Sequence, residues 1–171
     1  MNRSVIQNFV ATDHDHESCV DGALARAEAV CLARGERLTP LRRRVLELVW
    51  GNHLPVKAYD LLAQLSRDGG RRAAPPTVYR ALEFLRVAGL VHRLESLNAF
   101  IGCARPDKRH SAQFLICTDC GAVAEMDDAT LTAKIDANAR RLGFQVQDEK
   151  IEVAGLCREC ATAARGKPRT T

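Results

Sequence analysis

The 171-residue chain lacks any run that approaches the roughly 20 consecutive apolar residues of a membrane-spanning helix. Its first residues also lack the apolar stretch and small-residue cleavage site of a secretory signal. These absences exclude an integral membrane protein and lead us to expect a cytoplasmic protein with no membrane partner. Charged residues make up 27% of the chain and hydrophobic residues 46%, so a mostly disordered protein is excluded as well.

The chain also lacks a strong charge of either sign. Its formal net charge of +4 is too small to require a nucleic-acid partner. The basic excess is local, however: residues 36–93 contain 11 Lys and Arg against 5 Asp and Glu, whereas residues 105–171 contain 11 against 10. This distribution favours one domain that meets a polyanion and another that does not.

The apolar spacing in the first half predicts four helices, over residues 21–34, 40–50 and 57–66 and from Pro75 to the residue before Gly89. Cys31 falls on the apolar stripe of the first helix, so we expect a core cysteine. Extended segments at 90–95 and 98–103 predict a hairpin. A helix-turn-helix pair followed by a hairpin predicts a winged-helix DNA-binding domain over residues 21–103.

The pattern changes after a polar linker at residues 104–110. Residues 111–160 are predicted as a small α/β domain with strands at 112–117 and 122–126, a helix, and one or two further strands. About 50 residues form too small a core without a structural metal or a partner. The predicted fold class is therefore α+β, with mobile tails at 1–20 and 161–171. A weak metal site at His14 and His16 is the alternative to a solvated N-terminal tail.

Two Cys-x-x-Cys pairs, Cys117 with Cys120 and Cys157 with Cys160, account for four of the seven cysteines. Each pair places two thiolates within reach of one ion, and two pairs complete a tetrahedral zinc site. The segment between the pairs is long enough for a strand, a helix and a strand that return the second pair to the first. We interpret the four cysteines as a structural zinc site, with two redox pairs or buried core cysteines as the alternatives.

A second group of candidate zinc ligands is His92, Cys103, His110 and Glu125. Each residue also has an ordinary explanation: His92 and Glu125 as surface strand residues, Cys103 as a core residue, and His110 as a loop residue. The residues alone therefore leave their joint use open. Because they come from both halves of the chain, a metal bound by all of them would link one domain to the other.

Several separate segments, in order, resemble the ferric uptake regulator superfamily. They are Arg37-Leu38-Thr39-Pro40, Ala58-Tyr59-Asp60-Leu61-Leu62, the segment from Pro75-Pro76-Thr77-Val78-Tyr79-Arg80 to Leu85, Cys117-Thr118-Asp119-Cys120-Gly121 and Gly155-Leu156-Cys157 with Cys160. The resemblance covers about residues 21–160 and implies a dimeric, metal-responsive repressor whose second domain dimerises.

The metal specificity implied by the resemblance is zinc. The His-His-Asp-His run that iron-sensing members carry before the first cysteine pair is missing, since residues 108–113 read Lys-Arg-His-Ser-Ala-Gln. The layout of His92, Cys103, His110 and Glu125 resembles the regulatory site of the zinc uptake regulator branch. Two histidines, one thiolate and one carboxylate also suit tetrahedral Zn²⁺ better than octahedral Fe²⁺ or Mn²⁺. His53 is left as a surface residue.

In a winged helix the second helix of the pair enters the major groove of DNA. Arg80 lies on that helix and can pair bidentately with guanine. The resemblance also places this arginine at the bases and implicates Tyr59. Tyr79 is a candidate for a phosphate or packing contact, and Arg43, Arg71 and Arg72 are candidates for phosphate contacts, with a solvated face as the alternative. Thr77 shares a helix face with Arg80.

The resemblance therefore implies a zinc-responsive transcriptional repressor, and not an enzyme. We expect a homodimer with one structural and one regulatory zinc per chain, bound to palindromic double-stranded DNA and without a small-molecule substrate. Alternatives are a related regulator that responds to iron, manganese or peroxide, a thiol redox protein, and a zinc-stabilised RNA-binding module. A zinc deaminase is disfavoured because no histidine is followed two residues later by glutamate.

Overall fold

The computed structural model describes residues 5–6, 16–52, 54–67, 74–106 and 112–165. They fall into two compact units, one formed by residues 12–109 and the other by residues 1–11 and 110–171. The division lies at the end of the predicted polar linker. Five residues singled out above lie outside the described ranges: His14, His53, Arg71, Arg72 and His110. Among the described helices, none has the length and apolar character to cross a membrane.

The described elements follow one another in an order that puts four helices and a hairpin before a mixed sheet. In chain order they are β1 (Val5–Ile6), α1 (His16–Ala33), α2 (Pro40–Trp50), α3 (Ala58–Arg67), α4 (Pro75–Val87), β2 (Val91–Leu94), β3 (Ala99–Gly102), β4 (Gln113–Cys117), β5 (Val123–Asp127), α5 (Ala129–Arg141), β6 (Ile151–Gly155) and α6 (Arg158–Arg165).

The unit of residues 12–109 is a winged helix, as the sequence predicts. Thr39 caps α2 because its hydroxyl accepts the Arg42 N–H at 3.4 Å, and Pro40 occupies the first turn, where no N–H is needed. Prolines also open α4. The apolar faces of these helices meet in one core, whose fully buried members include Val45, Leu46, Leu61, Val78, Leu82 and Leu85. The third and fourth helices form the expected helix-turn-helix pair.

The hairpin of this unit is antiparallel, with Val91 opposite Gly102 and Leu94 opposite Ala99. A backbone bridge between Val56 and Phe100 attaches it to the segment before α3. The Phe100 side chain is buried in the same core as the helices. The hairpin is therefore held at a fixed place beside the helix-turn-helix pair.

The other unit contains a four-stranded sheet in the order β1-β5-β4-β6. β4 pairs antiparallel with β5 and parallel with β6, and α5 provides the crossover that a parallel pair needs. Gln113 is fully buried and fixes the start of α5: its side chain accepts the Asp128 N–H at 3.0 Å and contacts the Thr132 hydroxyl at 3.3 Å. This unit is the predicted small α/β domain.

The termini differ from the predicted tails. α1 begins at His16 rather than at residue 21, with Glu17 in its first turn, where a carboxylate interacts favourably with the helix dipole. Val5 and Ile6 pair with Met126 and Asp127 at the sheet edge. At the other end, α6 continues through the predicted tail to Arg165. The strand of Val5 and Ile6 gains its order from backbone pairing with β5, which the sequence pattern does not display.

Candidate metal sites and nucleic-acid interface

The parallel pairing of β4 with β6 brings the two Cys-x-x-Cys pairs together. Cys117, the last residue of β4, lies opposite Gly155, the last residue of β6. The backbone N–H of Thr118 donates to the Gly155 carbonyl at 2.8 Å and extends the pairing by one step. Since Cys157 follows Gly155 by two residues, both cysteine pairs emerge at the same edge of the sheet. This is the strand-helix-strand return that the spacing predicts.

Local structure then turns the second cysteine of each pair toward the first. After Cys117 the chain makes a tight turn, in which Gly121 has a φ of 74° and donates its N–H to the Cys117 carbonyl at 3.0 Å. Glycine adopts this left-handed conformation without a steric cost. Cys157 immediately precedes α6, and Cys160 lies in the first turn of that helix. Cys157 and Cys160 are thus about one helical turn apart.

The four sulfur atoms form a cluster of the size that zinc requires. All four lie within 4.8 Å of one another, and the Cys120 and Cys157 sulfurs are 3.8 Å apart. A regular tetrahedron with Zn–S bonds of about 2.3 Å has S–S edges of about 3.8 Å. All seven cysteines lie within the described residues and are reduced. Geometry and donor type therefore fit one closed four-cysteine zinc site.

Hydrogen bonds set the protonation of this cluster. The pKa of Cys117 is lowered to about 6, because the backbone N–H groups of Cys120 and Cys157 donate to its sulfur, the latter at 3.3 Å. A hydrogen bond with the Asp119 side chain raises the pKa of Cys160 well above its usual range. The cysteines of the cluster thus differ in acidity, with the pKa lowered at Cys117 and raised at Cys160. Zinc binding must displace the remaining protons, so zinc affinity decreases as the pH is lowered.

Two of the four candidate regulatory ligands lie on one face of the β2–β3 hairpin. His92 lies opposite Ile101, and Cys103 follows Ile101 by two residues. The Cys103 N–H donates to the Leu90 carbonyl at 2.9 Å, which continues the ladder beyond β3. Because side chains alternate along a strand, Ile101, His92 and Cys103 share a face, and the last two are diagonal neighbours. Cys103 is buried and His92 half-buried.

Glu125 belongs to the other unit. It lies in the middle of β5, opposite Phe114, and is half-buried. Val123 and Ala124, which precede it, are buried in the sheet. With His110 outside the described residues, the joint use of the four ligands stays a prediction.

The helix-turn-helix pair presents the predicted DNA-contacting residues on its surface. α4 buries Val78, Leu82 and Leu85, and Arg80 lies on the opposite, exposed side with Thr77 nearby. Tyr59 in the first turn of α3 and Tyr79 on α4 are exposed by 78% and 59%. Large aromatic side chains exposed to this extent beside a recognition helix are suited to contact with a partner.

A groove of about 200 Å³ separates the two tyrosines from the hairpin. Its polar lining combines three cationic residues with a single carboxylate and comprises Lys57, Tyr59, Tyr79, Glu83, Arg86, Arg93 and Asn98. Arg86 binds Glu83 through two hydrogen bonds of 2.7 and 2.9 Å, which lowers the pKa of that carboxyl group. Sequence reasoning missed Lys57 and Arg93. The sequence shows the local excess of Lys and Arg, but only the fold shows which of these residues line the groove.

The arginines of α2 have partners inside their own unit. Arg43 forms ion pairs with Glu28 and, at 3.4 Å, with Glu47. The Arg42 guanidinium lies 3.4 Å from the centre of the Phe84 ring and donates to the Arg37 carbonyl at 2.7 Å. These contacts stabilise the packing of α2 on its neighbours. They compete with the phosphate contact predicted for Arg43.

Comparison with known proteins gives a consistent result. Residues 33–154 match the model of the ferric uptake regulator family. The zinc uptake regulation protein of Escherichia coli (strain K12) is 41% identical over 138 residues, which cover 80% of each chain. The ferric uptake regulation protein of Legionella pneumophila is 29% identical over 132 residues, covering 74% of this chain and 92% of that protein.

Two solved structures are similar over most of their length. The crystal structure of holo XcZur has a TM-score of 0.77 at 45% identity and covers 83% of this chain and 99% of its own. A zinc uptake regulator complexed with zinc and DNA has a TM-score of 0.80 at 39% identity and covers 85% and 97%. The predicted resemblance to this family and branch is confirmed.

Proposed function

The chain belongs to the ferric uptake regulator family, and from this membership we propose that it is a zinc-responsive transcriptional repressor that binds palindromic operator DNA as a zinc-loaded homodimer. The observation that carries the proposal is the pairing, in one chain, of a winged helix with a four-cysteine cluster of zinc dimensions. The similarity to a regulator complexed with zinc and DNA supports it. Its place of action would be the cytoplasm, where its DNA partner lies.

Membership in a family of regulators also decides between classes of function. It accounts for a zinc site and a DNA-binding unit together, so the chain is not an enzyme and the thiol redox alternative is set aside. A closed four-cysteine site offers no open coordination position for a substrate, which agrees with a structural role. The four-cysteine zinc would hold the edge of the sheet at β4, β6 and α6.

The second unit carries apolar surface that supports its proposed role in dimerisation. α5 buries none of its residues completely. Four large apolar side chains are about half exposed or more. Leu142 and Phe144 follow α5, Val153 lies on β6, and Leu156 follows β6. Several large apolar side chains left exposed in one unit are consistent with a protein interface. A second copy of the chain would cover them.

We propose His92, Cys103, His110 and Glu125 as the regulatory zinc ligands. The diagonal placement of His92 and Cys103 on one hairpin face supports this assignment, as does the donor set of two imidazoles, a thiolate and a carboxylate. Zinc held by this set would favour one arrangement of the two recognition helices, at the spacing of a two-fold operator. By linkage, zinc and DNA must then strengthen each other's binding equally. Zinc-uptake genes are the proposed targets.

The proposed DNA interface combines base reading with phosphate contacts. Arg80 would read guanine from the exposed face of α4, and Tyr59, Tyr79 and Thr77 would contact the surrounding strand. Lys57 and Arg93 are added to this set because they line the groove beside the tyrosines. Arg43 is left out because of its ion pairs with Glu28 and Glu47.

Binding of the protein to a library of palindromic duplexes, with Zn²⁺, Fe²⁺, Mn²⁺ or a chelator, tests the proposed function. We expect the protein to select one two-fold sequence and to need a lower free concentration of Zn²⁺ than of Fe²⁺ or Mn²⁺ to do so. The chelator should release the protein from the DNA. Selection at lower free Fe²⁺ or Mn²⁺ than Zn²⁺ would assign the chain to another branch of its family. Preference for single-stranded RNA over every duplex would overturn the proposal.

Arg80→Ala is expected to abolish sequence preference while zinc binding is retained. A bidentate arginine–guanine pair contributes about 1–3 kcal/mol of discrimination, which corresponds to a loss of about 5- to 150-fold on the operator. Arg80→Lys keeps the charge but lacks the planar fork, so it should lose most of the same discrimination. Arg93→Ala, as a control, should weaken all duplexes alike and change the salt dependence by about one unit of slope at most. Equal losses of Arg80→Ala on operator and random DNA would show that another residue reads the bases.

A further inference from the structure

Trp50, the only tryptophan of the chain, lies directly against the backbone of Gly102. It is the last residue of α2 and is 8% exposed. A Cβ atom added to Gly102 would lie 2.3 Å from both Cε2 and Nε1 of the indole and 2.8 Å from Cζ2. These distances are far below van der Waals contact, so any side chain at residue 102 would displace the ring. The indole therefore rests where only glycine leaves room for it.

The contact lies on the opposite face of the hairpin from the proposed zinc ligands. Gly102 shares this face with Val91 and Phe100, and both of these side chains belong to the core cluster of the unit. His92 and Cys103, one residue further along each strand, belong to the other face. The indole ring therefore packs on the face of the hairpin opposite the Cys103 thiol, at the residue that precedes Cys103.

The backbone pairing of the hairpin ends at Cys103. β3 ends at Gly102, and the hydrogen bond from the Cys103 N–H to the Leu90 carbonyl is the last rung of the ladder. A zinc ligand must be held within about 0.5 Å of its productive position by the residues around it. At this strand end the indole is the large rigid group in contact with the preceding residue.

We propose that Trp50 and Gly102 form a positioning device that sets Cys103 as a ligand for a thiolate-preferring divalent cation and ties that ligand to α2 of the DNA-binding unit. The inference rests on the proposed regulatory role of Cys103. It adds two residues, neither of which offers a metal-binding atom. Because α2 packs on α4 in the core, the cation would restrain the helix-turn-helix pair through the indole.

Gly102→Ala is expected to weaken zinc binding at the regulatory site by at least about tenfold, the lower end of what supporting residues contribute to metal affinity. The four-cysteine site should keep its zinc, whereas displacement of the indole from the core should lower the thermal midpoint, because overpacking of a core costs about 1–3 kcal/mol. Gly22→Ala is the control within the same unit, since an added Cβ there would meet the far end of the flexible Arg26 side chain, at 3.2 Å. It should leave regulatory zinc affinity unchanged.

Trp50→Leu provides a second route should Gly102→Ala fold poorly. It removes the ring and should itself weaken regulatory zinc binding several-fold. In the Trp50→Leu background, Gly102→Ala should add less than about twofold, because the clashing atoms are gone and the two changes are not additive. Full additivity, or wild-type zinc affinity in both single variants, would overturn the proposal.

Intrinsic fluorescence supplies a readout that does not depend on DNA. Since Trp50 is the sole indole, zinc added to protein that already holds its structural zinc should shift its emission, and Cys103→Ser should abolish the shift. The regulatory site and the positioning role of Trp50 and Gly102 can be disproved separately. If Cys103→Ser responds to zinc as the wild type does, the regulatory site itself is wrong. If Cys103 is required but Trp50→Leu and Gly102→Ala bind zinc normally, only the positioning role is wrong.

Discussion

Cys117→Ser is expected to remove the zinc of the four-cysteine site and to dissociate the homodimer at concentrations where the wild type is dimeric. The Cys117 sulfur is buried and accepts the Cys157 N–H at 3.3 Å, so its loss breaks both the metal site and a link between β4 and the start of α6. Structural zinc sites contribute about 10–16 kcal/mol at pH 7, as much as the whole stability of a small domain. The unit that contains the four-stranded sheet should therefore unfold or expand.

Zinc per chain, sedimentation equilibrium and the thermal midpoint measure this effect together. Cys19→Ser is the control, because Cys19 is a half-buried cysteine of α1 in the other unit and should change none of the three. A Cys117→Ser protein that has lost its zinc but dimerises and melts like the wild type would contradict the structural role.

The sequence predicts this site well because its determinants are local. Two Cys-x-x-Cys pairs specify the ligands, and the return of the second pair requires only that β4 and β6 be parallel neighbours, which the intervening helix permits. The helices of the winged helix are similarly local, since Thr39 and Pro40 mark the start of α2 and Pro75 marks the start of α4, as the structure reproduces. The bounds of α2, α3 and α4 consequently agree with the prediction to within one or two residues.

What the sequence does not predict depends on contacts between distant segments. The sequence makes Arg43 a candidate for a phosphate contact, but the fold places Glu28, 15 residues away, beside it. Lys57 and Arg93 are ordinary surface cations in the sequence and share a groove only in the fold. The Trp50–Gly102 contact joins α2 to β3 across about 50 positions, and neither residue type by itself indicates it.

Cys103→Ser is expected to abolish most zinc-induced operator binding while the protein stays folded, dimeric and loaded at the four-cysteine site. The thiolate would be the one soft ligand of the regulatory set, and a neutral hydroxyl binds zinc poorly near pH 7. Loss of residues that merely support a ligand costs about 10–100-fold in metal affinity, so loss of the ligand itself should exceed about 100-fold in the free zinc needed for half-maximal binding. The substitution changes the side-chain volume little, since serine has almost the volume of cysteine.

Cys31→Ser separates the loss of a ligand from the loss of a buried thiol. Cys31 and Cys103 are both 2% exposed and belong to the same unit, but Cys31 lies in the helical core, where burial raises its pKa. A buried serine should cost both variants similar stability, whereas only Cys103→Ser should shift the zinc dependence of operator binding. The measurement is operator affinity over a range of buffered free zinc, beside zinc content per chain. If Cys103→Ser and Cys31→Ser both bind the operator at the wild-type zinc concentration, Cys103 is a packing residue. The sensing ligands must then be sought among His53, His92, His110 and the N-terminal His14 and His16.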